Sequence, residues 1–130
     1  MRSAVMVAVV VVLLAAAAVF LFRAHAPNRT IVHNASGTAL ENIRIEVEAR
    51  DGSRQLVEKT DRLEDGDSFV LHHDMNDSRV TLTCSFGATH LEYTENYVDL
   101  WTGEGWVLEV RPDGTVQSGY EKPRAATPAD

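Results

Sequence analysis

The side chains of this chain that could do chemistry are His33, His72, His73 and His90, the single cysteine Cys84, and a run of carboxylates in the C-terminal half. Nucleophilic catalysis needs a serine or cysteine within reach of a histidine base and a set of oxyanion donors. No G-x-S-x-G elbow occurs, and Cys84 sits at an inward position of an alternating strand, where a small apolar residue belongs. A metal site is the next candidate, because His72-His73-Asp74 and the nearby Asp77 gather imidazole and carboxylate within six residues. Neighbours on a strand point to opposite faces, however, so His72 and His73 cannot both meet one ion. Asp74-Met75-Asn76-Asp77 also lacks the glycine and distal glutamate of a calcium loop. The expectation is a chain that is not an enzyme and has neither metal nor cofactor.

The segment with most information is acidic and aromatic. Between Arg79 and Arg111 there is no Lys or Arg, while Glu92, Glu95, Asp99, Glu104 and Glu109 alternate with Tyr93, Tyr97, Trp101 and Trp106. Two readings compete. The aromatics can fill the core while the acids solvate the opposite face, as alternation produces unaided. Alternatively Glu92, Tyr93, Glu95, Tyr97, Asp99, Trp101, Glu104 and Trp106 form a surface for a basic protein, since aromatics anchor interfaces and an acidic field steers cations. All 19 acids follow residue 27, with all but Arg2 and Arg23 of the 12 bases. That sign is opposite to the one a nucleic-acid binder needs.

These residues must be held by strands. Ile43, Ile45, Val47 and Ala49 alternate with Arg44, Glu46, Glu48 and Arg50 before the hairpin signal Asp51-Gly52, and Arg54 to Lys59 is the natural partner. Ser68 to His72 follows, then a polar turn, then the cleanest alternation: Val80, Leu82, Cys84 and Phe86 on one face. His90 to Trp101 breaks phase, which a bulge near Glu95-Asn96 would reconcile. Gly103 to Gly105 and Arg111-Pro112-Asp113-Gly114 turn the chain into the last two strands. About seven short strands predict an all-β antiparallel β-sandwich over residues 30–120, with a disordered tail at 121–130. One cysteine forbids an internal disulfide.

Before the domain come a short flank at 1–3, an apolar stretch at 4–22 and a tether at 23–29. The stretch from Ala4 to Phe22 is 19 consecutive apolar residues. As a helix it reaches about 28 Å, close to the ~30 Å hydrocarbon core. Its Val, Leu and Phe residues favour insertion by on the order of 4 to 7 kcal/mol. The competing reading is a cleaved signal, since Ala24-His25-Ala26 has a small-x-small form; the length of the run and Pro27 after the cleavage point argue for an uncleaved single transmembrane helix. Arg2 and Arg23 flank it almost evenly, so the charge rule barely orients it. The basic N-terminal flank favours export, which places the domain outside the cytoplasm, periplasmic or extracellular.

The function expected is a membrane-anchored, extracytoplasmic β-sandwich that binds or assists, one version being an acidic inhibitor or immunity-type protein for a basic partner. The alternative is a structural single-pass subunit of an envelope complex, its helix packing through Ala8 and Ala15 to Ala18.

Overall fold

The structure is a computed structural model and describes residues 2–24, 26–101 and 103–121. The N-terminal helix α1 runs Arg2–Ala24. Its first 20 residues have mean hydropathy 3.1 with no part buried. A helix this apolar finds no protein surface to cover it, so water is a poor environment for it.

Eight strands follow: β1 Asn28–Asn34, β2 Leu40–Ala49, β3 Gln55–Leu63, β4 Ser68–His73, β5 Asp77–Phe86, β6 Thr89–Asp99, β7 Gly105–Val110 and β8 Val116–Tyr120. They form two four-stranded sheets, β4-β1-β7-β8 and β3-β2-β5-β6. One apolar core takes Val32, Leu71, Leu108 and Val110 from the first sheet and Ile43, Ile45, Val47, Val80, Leu82, Cys84 and Val98 from the second. The alternations expected for β2 and β5 therefore lie in the phase expected, with Phe86 packed at the margin.

Two expectations need correction. There are eight strands rather than about seven, and the first sheet is mixed, because β1 pairs with β4 antiparallel and with β7 parallel. The extra strand is β1, which takes up residues 28 and 29 expected in the tether at 23–29, while α1 continues through Ala24. Strand β1 does not look like one because its inward face reads Asn28, Thr30, Val32, Asn34. The parallel pairing arises because β1 and β7 both start at the same end of the domain, each antiparallel to its other neighbour. That end holds the start of β1, the β2–β3, β4–β5 and β6–β7 connections and the end of β8; the opposite end holds the other four turns. Of the tail expected at 121–130, only Glu121 lies among the described residues.

Two bulges adjust the phase. In β2 the pairing with β5 shifts between Glu41 and Arg44, where Asn42 takes a positive φ of 51°. The extra residue lets Leu40 and Ile43, three apart, both reach the core. In β6, Val98 pairs with Ser78 but Glu95 with Val80, so β6 carries one extra residue near Asn96, as its broken alternation requires.

The inward polar residues of β1 are satisfied individually. Asn34 is fully buried; its Nδ2 donates to the carbonyls of Thr38 (2.7 Å) and Leu63 (2.9 Å), and its Oδ1 accepts from the Ser36 amide (3.0 Å) and hydroxyl (2.6 Å). Removing that amide would strand several buried partners, each worth about 1–3 kcal/mol. Asn34→Ala is expected to destabilise the fold by roughly 3 to 5 kcal/mol in denaturant titration, whereas Val57→Ala on the exposed face of β3 should change little.

Candidate functional site

The acidic, aromatic segment does not form one face. Glu92 points outward from β6. Tyr93 turns inward against the core, and its hydroxyl donates to Glu95 Oε2 (2.8 Å) beside Ser118 Oγ (2.8 Å), which also donates to Glu95 (3.1 Å). Those three side chains clasp the edge of one sheet, β6, to the edge of the other, β8. Burial raises the Tyr93 hydroxyl pKa, and the Glu95 carboxylate adds to the rise, while the Ser118 bond works against it. Trp106 also belongs to the core margin, and its ring meets Tyr120 edge-on with centroids 5.0 Å apart. Glu104 is half-buried; its carboxylate accepts from the Trp101 amide (3.2 Å) and its amide donates to Asn28 Oδ1 (3.2 Å).

Besides Glu92, the residues of the segment that remain outside are Tyr97, Asp99 and Trp101. The β6 bulge lies between the inward pair Tyr93 and Glu95 and these three, and so reverses which residues face out. Tyr97 is 62% exposed and Trp101 78% exposed. Arg50 sits 4.3 Å above the Tyr97 ring and its guanidinium donates to the Tyr97 hydroxyl. The Tyr120 hydroxyl donates to the Asp99 carbonyl at 2.8 Å. Tyr120, 56% exposed, was not a candidate from sequence: it lies outside the base-free stretch, and only the β7–β8 pairing brings it beside Trp106.

Beside this group lies an open cleft of about 430 Å³ lined by Arg50, Arg54, Asp74, Asn76 and Asp77 among others. Its cations are already paired, Arg54 with Asp74 at 2.6 Å and Arg50 with Asp77 at 3.5 Å. The Arg54 hydrogen bond lowers the Asp74 pKa, so that carboxylate stays ionised and occupied.

The histidines do not converge. His33 bonds Ser68 Oγ through Nδ1 (2.9 Å), His90 is paired in register with Ser85, His72 is exposed and His73 is buried. Among the described residues no group of three or more His, Cys, Asp and Glu is arranged to hold a metal ion. Cys84 is buried, and desolvation pushes its thiol up to about 11, which removes the thiolate that reactivity needs. Asn28 and Asn34, two of three N-x-S/T asparagines, have buried, hydrogen-bonded amides and serve the fold; Asn76 is exposed.

His73 has a structural task. Its Nδ1 accepts from the Met75 amide (3.2 Å), which leaves the proton of the neutral ring on Nε2, 3.0 Å from Thr30 Oγ1. Burial lowers the pKa of His73, opposed by Asp74 and aided by His72 and Arg54. Charging the ring would set a second N–H against that of Met75. With a depressed folded-state pKa, the unfolded chain binds more protons below the ordinary value of 6.5, so stability present above that value is lost as pH falls through it. Denaturation from about pH 7 down to pH 5 should show this slope, and His73→Gln, less stable at neutral pH, should flatten it.

No family model matches the chain, and no curated protein sequence matches it. Among solved structures, a protein from Eubacterium rectale determined by NMR superposes over 77% of this chain and 93% of its own with 16% identity and a TM-score of 0.47. The human-specific toxin intermedilysin gives 10% identity and a TM-score of 0.42, over 75% of this chain and 24% of the toxin. Listeriolysin O gives 8% and 0.40, over 77% and 23%. The chain thus spans about a quarter of either toxin's length, and likeness at this level assigns no role.

Proposed function

We propose that this chain is a non-enzymatic β-sandwich module held at a membrane by an uncleaved N-terminal helix, with its domain outside the cytoplasm and a basic protein as its partner. The observation that carries this reading is α1: none of its residues from Arg2 to Leu21 is buried, and only residues 25–27 separate the helix from β1. An apolar cylinder of that length lowers its free energy by entering a bilayer. The sandwich reading is supported by two sheets sharing one core. The partner's sign is supported by the net charge of −7 and by exposed Asp61, Asp67, Glu92 and Asp99, none of which has an ion-pair partner among the described residues.

The full chain should resist alkaline carbonate extraction from membranes and should keep an intact mass that includes residues before Pro27. A mass beginning at Pro27 would make α1 a signal sequence and remove the anchor. In spheroplasts, protease added outside should digest the domain; full protection would reverse the orientation.

Capture of a basic protein by the detergent-solubilised chain should weaken in high salt and on Glu92→Lys, which changes an exposed side chain with no partner to lose. Association that ignores both salt and Glu92→Lys would remove the charge argument.

A further inference from the structure

Outside α1, the exposed large apolar residues among those described are Val57, Val70, Tyr97, Trp101 and Tyr120. The three aromatics all lie at one end of the domain, the end where the chain arrives from the helix. Tyr97 lies two residues before the end of β6, beside its bulge, Trp101 lies in the β6–β7 connection and Tyr120 ends β8 beside Trp106. The opposite end is made of polar turns around Gly37, Asp65, Gly87 and Asp113, and it exposes no large apolar side chain among the described residues.

Trp101 is the most exposed of the three and is tied directly to the arriving chain. The Glu104 amide donates to the Trp101 carbonyl at 3.0 Å, closing a turn that leaves the indole outside. The Arg29 amide donates to the Glu104 carbonyl at 2.9 Å, and a Cβ on Gly103 would stand 3.3 Å from that of Ala26. Residues 25–27 alone lie between Ala24, the end of the helix, and Asn28, so four chain steps span at most about 14 Å. The headgroup layer outside the hydrocarbon is itself about 5–7 Å thick. A helix that spans the bilayer therefore holds this end of the domain against the layer in which Trp and Tyr are enriched.

We infer that Trp101, with Tyr97 and Tyr120, forms a membrane-facing pole that seats in the headgroup region of the bilayer around the protein's own helix. The inference rests on the anchored reading of α1. The occupant is lipid rather than a protein because covalent continuity with the helix brings the bilayer to this end whatever else binds. Three arginines near this end are already matched, Arg29 with Glu121, Arg50 with Asp77 and Arg54 with Asp74, while Arg79, opposite the β6 bulge, has no ion-pair partner among the described residues; the contact inferred here is that of the aromatic rings.

The chain has two tryptophans, Trp106 partly buried at the core margin and Trp101 exposed. The full chain is reconstituted in phosphatidylcholine vesicles as wild type and as Trp101→Ala, and the difference between their emission spectra isolates the exposed indole. Trp106→Phe provides the same signal alone where it folds. The expected result is blue-shifted Trp101 emission, quenched more by lipids brominated high on the acyl chain than by lipids brominated at its end, and shielded from aqueous iodide. Carbonate-resistant protein whose Trp101 is quenched by iodide and untouched by brominated lipid would overturn the inference and leave the anchor standing. Protein released by carbonate would overturn the anchor itself.

Discussion

The domain depends on the hydrogen bonding of one strand whose buried face is mostly polar. Strand β1 is flanked by β4 on one side and β7 on the other, so its inward residues cannot escape to water. Asn28, Thr30 and Asn34 are each under 4% exposed. A buried amide without partners costs several kcal/mol, so these residues are tolerable only where every donor and acceptor is met. They are met from specific places: Asn34 from the 36–38 turn and the end of β3, Thr30 from His73, Asn28 from Met75 and Glu104. Each bond ties β1 to a different element. An apolar β1 would bind the same core with less dictation of register, because apolar contacts are non-directional.

That arrangement also fixes the two ends of the molecule. Asn34 ties the end away from the helix, where its backbone also bonds Asp67, Gly66 and, through Ala35, Val110. Asn28 ties the end near the helix, where its side chain holds the 74–76 and 103–104 segments together. Parallel pairing with β7 follows from the same demand, since β7 must start beside Asn28 for Glu104 to reach it. The loop that displays Trp101 is thus positioned by a polar residue of the strand that leaves the helix.

Much of the fold was legible in the sequence because most of its strands obey alternation. The inward sets of β2 and β5, the Asp51-Gly52 and Asp113-Gly114 turns and the β6 bulge all follow from local pattern, and Gly114 takes the positive φ of 80° that its turn requires. Strand β1 was illegible for the complementary reason: its buried residues are ones that pattern assigns to the surface. The sheet partners of β1 were equally hidden, since pairing across sequence separations of more than 30 residues leaves no local trace. The candidate surface fared in between. Composition located the aromatics, but which of them reach the surface is decided by the β6 bulge and by the pairing of β8, neither of which composition registers.

The bulge is where fold and surface meet. Before it, Tyr93 and Glu95 turn toward Ser118 and spend their polar groups on joining two sheet edges. After it, Val98 returns to the core while Tyr97 and Asp99 turn out. An unbulged strand would keep one phase, so Tyr97 would share a face with Tyr93 and Glu95 and Val98 would face solvent. One inserted residue therefore converts a core-facing ladder into an exposed aromatic end without a loop and without breaking the pairing with β5. The exposed rings cost solvation that a self-contained domain would avoid by keeping large apolar side chains covered at this end, as it does at the far turns among the described residues. Their retention at the end nearest an apolar helix is economical only if that end is not left in open water.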